Sequence, residues 1–270
     1  MMIEIKELTT LEEIEKIGEL EKSIWGMTPL PIHQTLTAVK NGGIVIGAFD
    51  NEKIIGFSYG FAGFKDGFTY LCSHMLGIDE SYRSKRIGQQ LKEAQAKSAL
   101  KKGYAEMHWT FDPLETRNAY LNLSKLGGIV NVYMENAYGK MTDGINKGLP
   151  SDRFEVHWFL SSEHRRSFQA PSLDDALVLN EVSIKDGVPS FSRVSQQTLT
   201  EPVYGVKVPK DFQHVKKIDS TIALNWRLKT REIFQALFKA GYAAVHLYPE
   251  DDTATYIFVP ITSLNLEAYK

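Results

Sequence analysis

Apolar residues recur along the first 140 positions in two patterns, one typical of helices and one typical of strands. Leu11, Ile14, Ile17 and Leu20 recur every three to four positions, as on one face of an amphipathic helix. The run IVIGAFD at 44–50 is continuously apolar and follows an Asn-Gly-Gly turn, which is typical of a buried strand. The expected strands are Ile3 to Leu8, Ile44 to Phe49, Ile54 to Phe61, Phe68 to Ile78, Ala105 to Phe111 and Ile129 to Glu135. The expected helices are Leu11 to Trp25, Ile32 to Lys40, Arg86 to Lys102 and Pro113 to Leu126.

The last of these helices has strong local signals and an unusual apolar pattern. Asp112 is a good N-cap, Pro113 suits the first helical position, and Glu115 completes a capping box. Its apolar residues fall on two nearly opposite sides. A helix that is apolar on two faces is usually buried between layers. We therefore expect residues from the C-terminal part of the chain to cover its outer face.

The second half of the chain also mixes strands and helices. One more strand is expected at Phe154 to Leu160, followed by a polar, loop-like stretch over 161–176. Further expected elements are strands at Ala176 to Ile184 and Tyr204 to Val208, a helix at Ser220 to Ala240, and strands at Tyr242 to Tyr248 and Thr255 to Val259. The pattern predicts an α/β (α+β) protein with one domain over 1–150 and a C-terminal α/β extension over 151–270.

A short basic turn separates the strand ending at Ile78 from the helix that follows. Arg83, Lys85 and Arg86 crowd this turn, and the next acidic residue is Glu93, about two turns into the helix. Cations at a helix start are unfavourable because its free N–H groups already carry partial positive charge. A bound polyanion would compensate, and Gly88 would let backbone approach it closely. The alternative interpretation is a solvated basic surface turn. The helix itself is expected to bury Ile87, Leu91, Ala94 and Ser98.

The stretch IDESYRSKRIGQQL at 78–91 resembles the acyl-CoA pyrophosphate loop of the GNAT superfamily of N-acyltransferases. Arg83 and Gly88 match the family pattern, whereas Arg86 stands where its first glycine is usual. The resemblance covers about residues 3 to 140 in element order. It implies a central mixed, mostly antiparallel sheet flanked by helices. The segment TFDPLETRNAYLNLSKLGG resembles a subgroup of predicted acetyltransferases with a C-terminal extension.

The resemblance implies transfer of an acyl group from acyl-CoA to an amine, with acetyl-CoA as the default donor and succinyl-CoA as an alternative. Leu76 and Ile78 would pair with the pantetheine arm, and Arg117 and Asn118 would contact the pantetheine, a phosphate or an acceptor carboxylate. The pyrophosphate would be held by Arg83, Ser84, Lys85, Arg86, Ile87, Gly88 and Gln89.

The catalytic groups are less clearly marked. His74 is the preferred general base, since histidine titrates near neutral pH, and His108 is a second candidate. For either histidine a hydrogen-bonded role within the sheet is the alternative. Leu123 stands where the family's usual acid, a tyrosine, would be, so Tyr120 is the candidate acid, with Tyr133 and Tyr138 behind it.

Composition narrows the classes of function that remain. The chain has 270 residues, 43% hydrophobic and 24% charged, with a net charge of -2. These values predict neither a nucleic-acid partner nor a membrane-surface partner. The start MMIEIKELTT lacks a signal-peptide pattern, and Cys72 is the single cysteine, which fits a cytoplasmic protein. No metal site is expected, because no Cys/His cluster has zinc spacing.

The expected partner is a small-molecule amine, and an amino acid is one option. The sequence leaves open whether the chain forms a homodimer. Two other classes compete with an enzyme. One is a non-catalytic CoA-binding or sensor protein, which the departures at Arg86 and Leu123 favour. The other is a structural protein that keeps the fold without the cofactor.

Overall fold

The structure is a computed structural model that describes residues 3–26, 28–83, 85–139, 148–185, 187–194 and 198–267. It divides into two compact units. The first unit comprises residues 1–109 and 159–161, and the second comprises 110–158 and 162–270. Within the described ranges, no helix is both long enough and apolar enough to cross a membrane.

The first unit is built on five strands in the order β1-β2-β3-β4-β5. The first four pair antiparallel, and β5 pairs parallel with β4. The strands are β1 (Ile3–Glu7), β2 (Ile44–Asp50), β3 (Lys53–Lys65), β4 (Phe68–Ile78) and β5 (Glu106–Phe111). The helices are α1 (Leu11–Trp25), α2 (Ile32–Lys40) and α3 (Ile87–Lys101). These elements lie where the apolar pattern predicted them, within a residue or two at most ends.

Alternation along the strands gives this sheet two apolar faces. Val45, Phe49 and Phe57 point to one face, where they form a core with Ile14 and Ile17 of α1. Thr10 begins α1 with the expected capping box, since its hydroxyl accepts from the Glu13 N–H and the Glu13 carboxylate accepts from the Thr10 N–H. On the opposite face, Ile87 and Leu91 of α3 pack close to Gly56 of β3. Helices therefore cover both faces of the sheet.

The strands of the second unit follow the order β7-β6-β12-β13-β11-β8 with mixed pairing, and β9 and β10 form a two-stranded sheet apart from them. Its strands are β6 (Ile129–Met134), β7 (Arg153–Phe159), β8 (Leu177–Val178), β9 (Asn180–Lys185), β10 (Val188–Val194), β11 (Tyr204–Pro209), β12 (Tyr242–Pro249) and β13 (Thr253–Pro260). Its helices are α4 (Thr116–Ala119), α5 (Glu163–Ser167), α6 (Phe212–Ile218) and α7 (Ser220–Lys239). The helices α5 and α6 and the strand β10 were not predicted, and the single strand expected at Ala176 to Ile184 is divided into β8 and β9.

Aromatic and ionic contacts fill the core of the second unit. Phe154, Phe234 and Tyr256 pack edge to face with ring centres 4.8 to 5.6 Å apart. Asp112 and Arg227, both buried, form a bidentate ion pair. Burial alone would lower the pKa of Arg227, but Asp112 reverses that effect, so the net pKa is raised and the guanidinium stays charged. Because the two charges satisfy each other, neither is left alone in the interior.

The predicted helix over 113–126 is wrong in its first turn and in its type. The α-helix starts only at Thr116 and becomes a π-helix over Tyr120–Lys125. Asp112 accepts from the Leu114 N–H and pairs with Arg227 instead of capping a helix at Pro113. Glu115 does not form the predicted capping box, and its carboxylate accepts from the Gln213 side chain. Tertiary partners thus replaced the local capping pattern.

The outer face of this segment is covered as expected. The Thr116 hydroxyl donates to the carbonyl of Lys210, the Ser124 hydroxyl to that of Leu247, and the Tyr256 hydroxyl to that of Pro113. The predicted mixed, mostly antiparallel sheet flanked by helices is confirmed, and so are the additional strands and helices beyond it. The division of the chain into domains at residue 150 stays a prediction.

Candidate active site

The two parallel strands of the first unit diverge and form a fork. β4 and β5 pair only at Leu71 with Met107 and at Cys72 with His108. Ser73 on β4 and Trp109 on β5 are therefore the first residues beyond the shared ladder. The remainder of β4, from His74 to Ile78, includes the two residues that the sequence assigned to the pantetheine, Leu76 and Ile78. Both stay paired with β3 on the other side, opposite Ser58 and Gly56.

A bulge in β4 lies at the point where the fork opens. Tyr59 pairs with Met75 and Phe61 with Cys72, so β4 has one more residue than β3 between these pairs. The extra residue falls at Ser73 or His74. The His74 ring packs against Tyr59 at 6.3 Å and Phe61 at 5.6 Å between ring centres, while part of the side chain stays exposed. Loss of water around the imidazole lowers the pKa of His74, which favours its neutral form.

The start of α3 presents unused backbone donors. The first hydrogen bond within the helix runs from the Gln90 N–H to the Arg86 carbonyl, which leaves the N–H groups of Ile87, Gly88 and Gln89 without acceptors in the helix. No side chain of the described residues caps them. Arg86 is the N-cap and has φ +60° and ψ 14°, a left-handed conformation. Glycine, which the family pattern usually has at this position, adopts that conformation without strain. Arginine in the same conformation lowers the stability of the fold by roughly 1 kcal/mol.

Three cationic side chains surround this helix start, and all three are exposed. Arg83 lies 3.6 Å from Glu80, and its side chain remains 51% exposed. The Lys85 ammonium lies over the Tyr82 ring, 4.6 Å from its centre. An exposed ion pair of this kind stabilises by less than about 1 kcal/mol, so Arg83 can exchange Glu80 for another anion. Ser84, also assigned to the pyrophosphate, lies outside the described residues.

Asp79 fixes the bend that leads into this loop. Its carboxylate accepts from the Ser81 N–H and hydroxyl and from the Lys53 ammonium. Hydrogen bonds from Ser81 and then from Lys53 lower the pKa of Asp79 to about 2. The bend is therefore held by an ionised carboxylate at any pH near neutrality.

The buried face of α3 is partly polar, which the sequence analysis missed. Ala94 and Ser98 were expected to be buried but are only half-buried, whereas Lys92 and Gln95 are buried. The Lys92 nitrogen donates to the Ser73 hydroxyl at 2.8 Å and lies 3.6 Å from the centre of the Trp109 ring. The Ser73 hydroxyl donates to the Gln95 side chain at 2.5 Å. Burial lowers the pKa of Lys92 from 10.5 to about 7, against the opposing influence of Cys72.

The second unit contains a cavity of about 520 Å³ next to the α4 segment. It is lined by Leu114, Glu115, Thr116, Arg117, Tyr120, Lys210, Asp211, Phe212, Gln213, Leu247, Pro249 and Ala254. Arg117 and Asn118 are exposed, and in the described structure Glu115 bonds with Gln213 and Glu135 with Arg231. Burial raises the pKa of Glu115, partly offset by the hydrogen bond from Gln213. The Lys125 ammonium lies over the Tyr120 ring, 4.9 Å from its centre.

The other candidate catalytic residues contact neighbouring side chains of the protein. His108 stacks on Tyr70 with ring centres 4.2 Å apart and lies 2.8 Å from Glu106, as the hydrogen-bonded alternative predicted. The Tyr133 hydroxyl donates to Asp152, and burial together with this bond raises the pKa of Tyr133, so it is a poor proton donor. The Tyr138 hydroxyl lies 2.9 Å from the Thr110 hydroxyl.

In the first unit, His74, Leu76 and Ile78 therefore lie on the β4 side of the fork. The basic side chains are grouped at the start of α3. The structure places Arg117, Asn118 and Tyr120 in the second unit, on or beside one cavity. Lys92 is the residue that sequence reasoning missed. Its signal was present, because it lies four residues after Gly88 on the buried side of the same helix.

Comparison with known proteins identifies the family. The family model described as Acetyltransferase (GNAT) family matches residues 8–123. No curated protein matches the chain. Three solved structures illustrate what the chain is similar to. The NatC complex bound to Gag peptide and CoA has 20% identity and a TM-score of 0.45, with 58% of this chain and 98% of that chain covered.

The second is the ribosomal-protein-S18-alanine N-acetyltransferase from Escherichia coli, with 15% identity, a TM-score of 0.47, and 62% of this chain and 100% of that chain covered. An N-acetyltransferase from Staphylococcus aureus Mu50 has 17% identity and a TM-score of 0.46, with 59% and 99% covered. Enzymes of the matched family use an acyl-CoA as donor. Over residues 8–123 the chain is therefore a member of the acetyltransferase (GNAT) family, and it carries an additional C-terminal region beyond that segment.

Proposed function

We propose that this protein transfers an acetyl group from acetyl-CoA to the amine of a small molecule that also carries a carboxylate, such as an amino acid. The observation that carries the proposal is the start of α3, where unused backbone N–H groups and three exposed cationic side chains converge. Such a site suits a diphosphate, because oriented N–H groups and positive charge both attract it. Arg83, Lys85 and Arg86 would supply the charge, and Ile87, Gly88 and Gln89 the backbone donors.

The fork between β4 and β5 is the proposed place for the pantetheine arm and the thioester. An extended arm could pair with the edge of β4 at Leu76 and Ile78 as an additional strand does. A main-chain N–H at this edge would then lie near the thioester carbonyl and could stabilise the oxyanion that forms there. Holding the thioester and the amine in one geometry accounts for a large part of the rate in such transfers.

His74 is the proposed general base. A neutral imidazole accepts the proton that the ammonium group of the acceptor must lose before its nitrogen can attack, and the lowered pKa keeps this imidazole neutral at pH 7. The nitrogen of the amine then forms the new amide bond and loses its second proton to water, the carbon–sulfur bond breaks, and the thiolate leaves with the bonding electrons. With a thiol pKa of about 8.5, water can protonate that thiolate, and Tyr120 is the proposed alternative donor.

The cavity of the second unit supports the choice of a small acceptor. Its volume of about 520 Å³ lies within the range of small-molecule sites. Arg117 offers an exposed guanidinium for a carboxylate, and Glu115 offers a carboxyl group. The Arg117→Gln variant should raise KM for a carboxylate-bearing acceptor while KM for acetyl-CoA stays constant. Equal KM for acceptors with and without a carboxylate would remove this acceptor class.

Calorimetry with acetyl-CoA and succinyl-CoA tests the donor, and thiol release across a panel of amines tests the reaction. The double variant Arg83→Glu with Lys85→Glu should weaken CoA binding by about a hundredfold, since two attractive charges become repulsive. Lys97→Glu, at an exposed position later in α3, is the matched control and should bind normally. Unchanged affinity in the double variant would contradict the loop assignment. Binding without thiol release would favour a CoA-binding sensor instead.

The Tyr120→Phe variant separates the two proton donors. A slower turnover at unchanged KM would assign the donor role to Tyr120, and an unaltered rate would leave that role to water.

A further inference from the structure

Lys92 lies at the point where the two strands of the fork separate. Cys72 and His108 form the last pair of the β4–β5 ladder, and Ser73 and Trp109 are the next residues on each strand. The Lys92 nitrogen contacts both, with a hydrogen bond to the Ser73 hydroxyl at 2.8 Å and a distance of 3.6 Å to the Trp109 ring centre. A single side chain from α3 thus bridges the first diverging residues of β4 and β5.

We propose that Lys92 is a positioning residue for acyl-CoA, which sets the separation of β4 and β5 at Ser73 and Trp109 and so the width of the fork that admits the pantetheine arm. This inference rests on the proposed function, because it assumes that the fork is the binding place. Lys92 need not touch the ligand to act in this way.

The energetics of the site favour a functional role. A lysine amine in a water-free interior is costly, and an apolar residue of similar length would fill the same space without that cost. Lys92 is 2% exposed, and its polar contacts form a closed network with Ser73, Gln95 and the Ile44 carbonyl. A buried polar group of this kind that a stabler apolar residue could replace is typical of sites where function opposes stability.

Burial opposes the charge of Lys92 and Cys72 favours it, and with a pKa of about 7 the amine is close to balance between its charged and neutral forms. From β4, Cys72 favours the charged form. From β5, His108 is held by Glu106, and from β1, Glu7 is held by Ser98 and Lys102 further along α3.

On the other strands that pack on α3, the titratable groups also have partners of their own. Asp50 of β2 accepts from the Tyr82 hydroxyl, and Lys53 of β3 pairs with Asp79. Tyr59 of β3 belongs to the core on the opposite face of the sheet. Because burial opposes the charge, protonation of Lys92 should draw water toward the base of the fork and weaken acyl-CoA binding.

The test compares Lys92→Met with Lys97→Met. Methionine keeps the length of the side chain in the interior and removes the amine, and Lys97 is an exposed lysine on the same helix. For each protein, CoA affinity is measured by calorimetry, and KM for acetyl-CoA and kcat are measured between about pH 6 and pH 9. Circular dichroism verifies that both variants are folded.

We expect Lys92→Met to raise the CoA dissociation constant and KM for acetyl-CoA by about tenfold, with kcat within about twofold, because positioning affects binding more than chemistry here. KM of the unmodified protein should rise as pH falls below 7, relative to Lys92→Met. Lys97→Met should match the unmodified protein in every measurement.

Two failures can be told apart. If the unmodified protein binds no CoA, the proposed function and this inference are both overturned. If it binds CoA, and Arg83→Glu with Lys85→Glu weakens that binding while Lys92→Met leaves KM and its pH dependence unchanged, only the role of Lys92 is overturned. A fall in kcat at constant KM would also contradict it.

Discussion

Replacing Lys92 with methionine should stabilise the folded protein at neutral pH. The pKa of Lys92 falls from 10.5 to about 7 on folding, which corresponds to roughly 5 kcal/mol of preference for the unfolded, solvated ammonium. Methionine avoids this cost but loses the hydrogen bond to Ser73, worth about 1 kcal/mol. The net gain in the free energy of unfolding should therefore be about 3–4 kcal/mol at pH 7.

The gain has a defined pH dependence. Below about pH 7 the amine is protonated in both states, so the full cost is present. Between pH 7 and 10.5 the unfolded chain binds more protons than the folded chain, so the unmodified protein becomes more stable as pH rises. The advantage of the variant should therefore shrink steadily over that interval and disappear near its upper end.

Equilibrium unfolding in guanidinium chloride at about pH 7 and about pH 9.5 measures this difference. Lys97→Met is the control and should change the free energy of unfolding by less than about 0.5 kcal/mol at either pH. A variant at Lys92 that is less stable at neutral pH would refute the reasoning. So would a stability difference that is the same at both pH values, since desolvation of a titrating amine requires it to change.

Three further predictions concern other sites. Asp112→Ala should destabilise the second unit by about 3–5 kcal/mol in chemical unfolding, because it leaves Arg227 buried and unpaired, and adding Arg227→Met should recover part of the loss. Arg86→Gly should raise the unfolding free energy by up to about 1 kcal/mol by removing left-handed strain, and an unchanged midpoint would contradict it. His74→Gln should lower kcat/KM by about a hundredfold. It should also abolish the fall in rate of the unmodified enzyme at acidic pH, which should set in below the pKa of an ordinary histidine, whereas an identical pH profile would exclude His74 as the base.

The hydrophobic pattern predicted the longer elements because their local preferences and their burial agree. The helix α1 and strands β2 to β4 have periods that match their faces in the sheet. The short α6 and β10 were missed because seven residues of mixed polarity carry too little periodicity to register. At Asp112 a strong capping pattern was overridden by Arg227, which lies 115 positions away in the sequence. No local rule could supply that partner.

The candidate site was also predictable from the sequence only in part. The basic turn was readable because it breaks a local electrostatic rule at the start of α3, and the fold leaves that helix start uncapped by the described side chains. The fork was not readable, because the loss of pairing after Cys72 depends on the relation of two strands that lie far apart in sequence. Lys92 received no assignment from the sequence, since a lysine on a helix is rarely buried and its type gave no reason to single it out.

The π-helix over Tyr120–Lys125 changes how positions in this segment can be compared between proteins. Here the Leu126 N–H bonds to Leu121, five residues back, so each turn holds more residues than in an α-helix. Counting four residues back from the terminal glycine reaches Leu123, but that count does not identify the side chain with the same direction in space. An alignment of this chain against its family should therefore allow a one-residue offset here before an acid is declared lost.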